Sequence, residues 1–168
     1  MRGIALLAAM LLAGCTTAAP DGADGDVPPP APFANDPQQP LLALFEHVIG
    51  DYFALAGDDA PTTCAILRDG GEAGSGLTAD QEEALLLRFP RLAPAGRCQW
   101  DGQQYADSIT GDRATVIDIY QFACDDPRNC SGSVNIRGPG ACRPAVQYSM
   151  LYAGDAWQFA RSERLPGE

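Results

Sequence analysis

The spacing of apolar residues changes period part-way along the chain, and that change limits what it can fold into. Between residues 41 and 89 apolar side chains recur every three or four positions, as on one face of a helix. From about residue 97 they alternate with polar ones, as on a half-buried strand. Helical periodicity first and strand periodicity last is the pattern of an α+β domain rather than of alternating βαβ units.

The elements follow from that pattern. Leu41, Leu44, Phe45, Val48, Tyr52 and Leu55 make one apolar stripe along a helix over residues 41–56. Pro40 sits at its first turn, where a missing N–H costs nothing, and Gly57 with Asp58-Asp59 ends it. Residues 63–68 read as a short strand. A second helix starts at Thr78, which forms a capping box with Gln81. Asp80, Glu82 and Glu83 load its first turns and Arg88 its last, the distribution the helix dipole favours. Pro90 stops it at Phe89, and the run Leu85-Leu86-Leu87 predicts burial over much of its girth. Strands are expected at 98–100, 114–123, 131–137 and 144–152. Asp101-Gly102, Gly111-Asp112 and Gly138-Pro139-Gly140 read as turns. Gly154-Asp155 is a two-residue hairpin turn into a last strand carrying Trp157 and Phe159. The expected fold is two helices followed by a curved antiparallel sheet of about four to five strands. Trp100, Tyr148, Tyr152, Trp157 and Phe159 are expected to pack in its core.

The start of the chain has a different character. Arg2 is the only charge in the first 20 residues, and an apolar run from Ile4 to Leu12 follows it. Nine residues are too few to cross a bilayer as a helix, which needs about 20; a short apolar core behind a positive start describes a secretory signal. The run ends in Leu12-Ala13-Gly14-Cys15, which resembles the bacterial lipobox over the first 15 residues. The resemblance implies removal of residues 1–14 and acylation of Cys15, so that the lipid bilayer is a partner. In that family an Asp after the Cys favours the inner membrane. Thr16 stands there instead, which implies the inner leaflet of the outer membrane, facing the periplasm. Residues 15–40 then read as a lipidated tether, seven of whose residues 16–40 are Pro and four Asp, and residues 41–165 as one domain.

Charge excludes one class of partner. The chain has 11 arginines, no lysine and 22 acidic residues, a formal charge of −11. Such a surface repels phosphate backbones, so nucleic acid is not an expected partner. It also repels anionic headgroups, so the acyl chains rather than a basic patch hold the membrane.

Five cysteines remain beyond Cys15: Cys64, Cys98, Cys124, Cys130 and Cys142. Export places them where disulfides form, and an odd count leaves one thiol over. Pairing Cys64 with Cys98 ties the first strand to the segment after the second helix. Pairing Cys124 with Cys130 closes the loop Asp-Asp-Pro-Arg-Asn and leaves Cys142 unpaired. The alternative, Cys124 with Cys142, makes residues 125–141 a long loop of a kind compact domains seldom contain. No tight C-x-x-C pair marks a zinc site, and no metal or cofactor is expected.

His47, the single histidine, has Asp51 one helical turn later. Read as chemistry this is a His–carboxylate general-base pair; read as structure it is a solvated i,i+4 pair on the polar side of the first helix. Gly70 to Gly76 lacks the Lys and helix entry of a phosphate loop. The element order, the Tyr105 to Ile117 stretch around Thr110-Gly111 and the terminal hairpin ending in Trp157 resemble small secreted domains of the NTF2-like or cystatin-like kind. That resemblance implies a scaffold and assigns no functional residue. The function expected is therefore a membrane-anchored envelope lipoprotein with a small non-catalytic domain, which binds an envelope protein, a cell-wall component or a small apolar ligand, or serves structurally. A small enzyme using His47 and a carboxylate, and a thiol redox role for the unpaired cysteine, are the alternatives.

Overall fold

Pro40 opens the first helix, α1 (Pro40–Ala56), and Gly57 closes it with a left-handed φ of 64°. Leu41, Leu44, Phe45 and Val48 of the expected stripe are buried, as are Leu42, Ala43 and Ile49 beside them. Leu55 is not: it is 73% exposed. These relations come from a computed structural model that describes residues 30–68, 76–139, 141–142 and 144–163.

β1 (Thr63–Arg68) precedes the second helix, α2 (Ala79–Arg88). The capping box forms as expected: Thr78 Oγ1 accepts from Gln81 N, and Gln81 Oε1 accepts from Thr78 N at 3.0 Å. The expected burial of the leucine run does not hold. Leu85 alone is fully buried, and Leu87 is 66% exposed, because α2 rests on α1 along one narrow face. After α2 come β2 (Leu92–Ala93), β3 (Cys98–Trp100), β4 (Tyr105–Asp107), β5 (Thr115–Asp126), β6 (Asn129–Gly138), β7 (Ala141–Cys142), β8 (Val146–Ala153) and β9 (Ala156–Glu163).

The class is α+β, but the sheet is larger than four to five strands and is not wholly antiparallel. Its order is β2-β1-β5-β6-β8-β9, with β7 also on β6, and β3 and β4 form a separate two-stranded sheet. β1 runs parallel to both β2 and β5. The sequence reading placed β1 and the core of β5 as strands but not their parallel pairing, since local periodicity carries no information about a partner as distant in the chain as Thr115 is from Thr63.

α1 lies on one face of the sheet. Ile117, Ile119, Val134, Tyr148, Met150 and Trp157 meet it there in one core. A bulge at Gln121, with a positive φ of 53°, turns Phe122 to the same side. Gly132 lies opposite: a β-carbon there would stand 3.1 Å from both Leu44 and Phe122, so helix and sheet pack tightly here. The other face carries a second, smaller cluster of Cys64, Ala93, Cys98, Ala114 and Val116. Gly154 and Asp155 both have positive φ, as a tight turn matched to strand twist requires.

The folded region starts earlier than the boundary at residue 41 drawn from composition. Phe33 is buried in the main core. Trp157 Nε1 donates to Asp36 O at 2.9 Å, Tyr152 Oη donates to Asn35 O at 3.1 Å, and Ala34 N donates to Glu46 at 3.0 Å. Residues 30–39 are therefore part of the domain, although their proline content reads as linker.

Candidate functional site

The second face of the sheet is where polar chemistry concentrates. Cys64 on β1 is bonded to Cys98 at the start of β3, with Cα atoms 6.2 Å apart, and this fastens the β3–β4 hairpin over β1 and β5. Trp100 and Tyr105 are cross-strand partners on that hairpin, their rings edge-to-face at 5.2 Å. Trp100 was expected in the core; it is 57% exposed, on a two-stranded hairpin separate from the main sheet.

Below the hairpin lies Asp118 of β5, fully buried. Ile117 and Ile119 face α1, so period two sends Asp118 to the opposite side. Arg68 Nε stands 2.6 Å from its Oδ2 and Arg137 Nη2 stands 3.4 Å away. The contact is one of opposite charge more than of aligned hydrogen bonds. Burial raises the Asp118 pKa above the ordinary carboxylate value, against the pull of Arg137 and Arg68. Arg68 also donates to Tyr105 Oη, which joins the buried charge to the hairpin. Two guanidinium groups on one carboxylate leave this spot positive in an acidic chain.

A groove of about 610 Å³ opens between the hairpin and the first turn of α2. Arg68, Trp100 and Tyr105 form one side, Glu82 and Ala79 the other, with Ile66 and Cys98 among the lining residues. Glu82 Oε1 accepts from Ala95 N at 2.7 Å, which fixes the carboxylate at the rim. Asp107, at the far end of β4, accepts from Arg97, from Thr62 Oγ1 at 2.6 Å and from Ile109 N at 2.9 Å. Those bonds, Arg97's first, hold its carboxyl well below the ordinary range.

His47 is not placed as the sequence reading had it. Its ring does not point away from the apolar surface: it stacks on Phe159 at 4.3 Å and 6°, and meets Tyr148 edge-on at 5.6 Å. Asp51 lies 3.9 Å from Nε2, beyond hydrogen-bond range, and the two side chains are 32% and 62% exposed. The pair is thus a loose surface contact on a half-buried aromatic shelf. A narrow cavity of about 90 Å³ opens next to it between α1 and the sheet, among Val48, Tyr52, Val134, Val146, Tyr148 and Arg161. Burial raises the Tyr148 phenol, with Arg161 opposing.

Cys124 and Cys130 are bonded across directly paired positions of β5 and β6, beside the turn that joins them. β6 then runs on to Arg137, opposite Cys142 of β7. Seven residues of strand separate Cys130 from that position, about 23 Å at the usual rise, which takes Cys142 out of bridging range of Cys124 and removes the alternative pairing. The expected unpaired thiol of Cys142 lies outside the described side chains, and Cys15 and most of the glycine loop lie outside the described residues. Among the described residues no three His, Cys, Asp or Glu side chains converge as a metal site, and no helix is long and apolar enough to cross a membrane.

The sequence reading found the cysteines of this region but missed Arg68, Asp118 and Trp100 as a group. One signal was available: Asp118 interrupts an otherwise apolar run, Val116-Ile117-Asp118-Ile119, at a central strand position. A scan against family models finds no match to the chain, and comparisons with curated proteins and with solved structures give none either.

Proposed function

We propose that this chain is a lipid-anchored envelope protein whose domain is a non-catalytic binding module. The run Leu12-Ala13-Gly14-Cys15 behind a short apolar core supports the address: a signal removed after Gly14 and acyl chains on Cys15, in the outer membrane and facing the periplasm. Two or more acyl chains suffice for stable anchoring without a spanning helix. The helix-on-sheet arrangement supports the resemblance to NTF2-like or cystatin-like domains as a scaffold.

The observation that carries the binding role is the groove between the β3–β4 hairpin and α2. It has an exposed aromatic wall and charged groups already held by neighbours. Preorganised polar groups in a concave, partly apolar surface are what recognition needs. A His47-based enzyme has less support, since the imidazole is stacked against Phe159 and its carboxylate does not orient it.

Metabolic labelling with palmitate tests the address. The wild-type chain is expected to take the label and sediment with membranes, and Cys15→Ser to do neither. An unlabelled protein that keeps its initiating Met in the soluble fraction would overturn the reading.

A further inference from the structure

We infer that the groove at Trp100 binds a neutral saccharide, stacking one sugar ring on the indole and holding its hydroxyls between Arg68 and Glu82. This rests on the domain being a binding module and names the ligand class of that same groove.

Four observations converge on a sugar. First, Trp100 is 57% exposed while the chain's other tryptophan, Trp157, is 4% exposed, so the indole at the groove is left uncovered by the fold. An aromatic face open to water beside polar groups suits a ligand that is apolar on its faces and polar round its edge, which describes a pyranose ring. Second, charged Arg68 and Glu82 and the Tyr105 phenol line the groove beside apolar Ile66, Leu77 and Ala79. A fatty or aromatic ligand would strip water from the N–H groups and carboxylate oxygen that Arg68 and Glu82 still turn to the groove; hydroxyl groups would replace that water.

Third, the groove presents a donor and an acceptor on opposite walls. Arg68 supplies N–H groups only, and Glu82 supplies carboxylate oxygens only. Vicinal hydroxyls both donate and accept, so one saccharide can use both groups. An anionic sugar would gain at Arg68 and lose at Glu82, which favours a neutral one. Fourth, the walls are fixed before any ligand arrives. Tyr105 and Asp118 hold Arg68, Ala95 N holds Glu82, and the Cys64–Cys98 bond holds the hairpin that carries Trp100. Fixing these groups in advance lowers the ordering cost of binding. The volume, about 610 Å³, lies inside the span of about 300–1,000 Å³ usual for ligand clefts.

The test is calorimetric titration of the full-length chain in detergent micelles with two neutral tetrasaccharides, the β-1,4 tetramer of N-acetylglucosamine and maltotetraose. At least one is expected to bind in the micromolar to low-millimolar range. Trp100→Ala should weaken that binding about tenfold or more, Trp100→Phe should restore part of it, and Glu82→Gln should weaken it by several-fold. Because Trp100 is exposed, its replacement should leave the far-ultraviolet circular-dichroism spectrum unchanged and lower Tm only slightly, through the lost ring contact with Tyr105. Binding should also shift the Trp100 emission to the blue, a signal that survives Trp157→Phe. Failure of both tetrasaccharides to bind at millimolar concentration, or equal binding by Trp100→Ala, overturns the inference. Saccharide binding without palmitate on Cys15 would sink the envelope address alone, and palmitate without saccharide binding would sink this inference alone.

Discussion

Two carboxylates give the domain opposed responses to acid. Asp118 is buried and its pKa is raised, chiefly by loss of water. The native state therefore holds that proton more tightly than the unfolded chain, and stability falls as pH rises from the ordinary carboxylate value through the raised one. Asp107 is the reverse case. Hydrogen bonds from Arg97, Thr62 and Ile109 lower its pKa, so its contribution is present above the ordinary value and is lost as pH falls through the depressed one. Urea midpoints measured from about pH 3 to pH 7 should separate the two. Asp107→Asn is expected to lower stability near neutrality and flatten the acid limb. Asp118→Asn should make the rise of stability with pH steeper just above the ordinary carboxylate pKa. Equal pH profiles for both variants and wild type would refute the assignment. Removing the cation tests the same cluster from the other side. Arg68→Met leaves Asp118 with Arg137 alone and should cost about 2–3 kcal/mol at neutral pH, less than a fully orphaned buried charge. That loss should shrink in acid, where Asp118 takes up a proton.

At the scale of elements, the two disulfides constrain segments of different length. Cys64–Cys98 spans 34 residues and Cys124–Cys130 spans 6. On the loop-entropy account their removal should cost about 4 and about 2 kcal/mol respectively. Paired Cys→Ala variants compared by denaturant midpoint check this, and a larger loss at the shorter bridge would contradict it. The same elements show why some of the fold was readable in the sequence. The capping box at Thr78 and Gln81, the Gly154-Asp155 turn and the short bridge at Cys124 all depend on residues a few positions apart, and such signals are local. Leu55 and Leu87 match the helical period yet face water, because period marks a face without saying how far its neighbour extends. The candidate site was illegible for a related reason. Arg68, Trp100 and Asp118 sit on three strands, and a parallel pairing of β1 with β5 is needed to bring Arg68 onto the face of Asp118. A sequence shows which residue types are present; only the sheet register shows which of them share a face.

At the scale of the whole molecule, packing and composition draw the start of the domain at different places. Composition places the boundary at residue 41, where proline-rich sequence gives way to an apolar stripe. The packing places it about ten residues earlier, since Phe33 closes the edge of the main core. The carbonyls of Asn35 and Asp36 satisfy Tyr152 and Trp157 on β8 and β9. A chain cut to start at residue 41 would lose that apolar side chain and leave the Trp157 N–H, on a residue 4% exposed, without its acceptor. It would also remove the backbone N–H of Ala34 from Glu46, whose remaining partner is Arg88 at 2.6 Å. Burying Phe contributes about 2–3 kcal/mol, and an orphaned buried donor costs about 1–3 kcal/mol. A start at residue 41 should therefore lower stability by about 3–5 kcal/mol, whereas a start at residue 30 should match the protein from Cys15 onward. Thermal unfolding of the three lengths decides between the boundaries. Identical Tm values for the starts at 30 and 41 would return residues 30–39 to the linker and restore the boundary that composition draws.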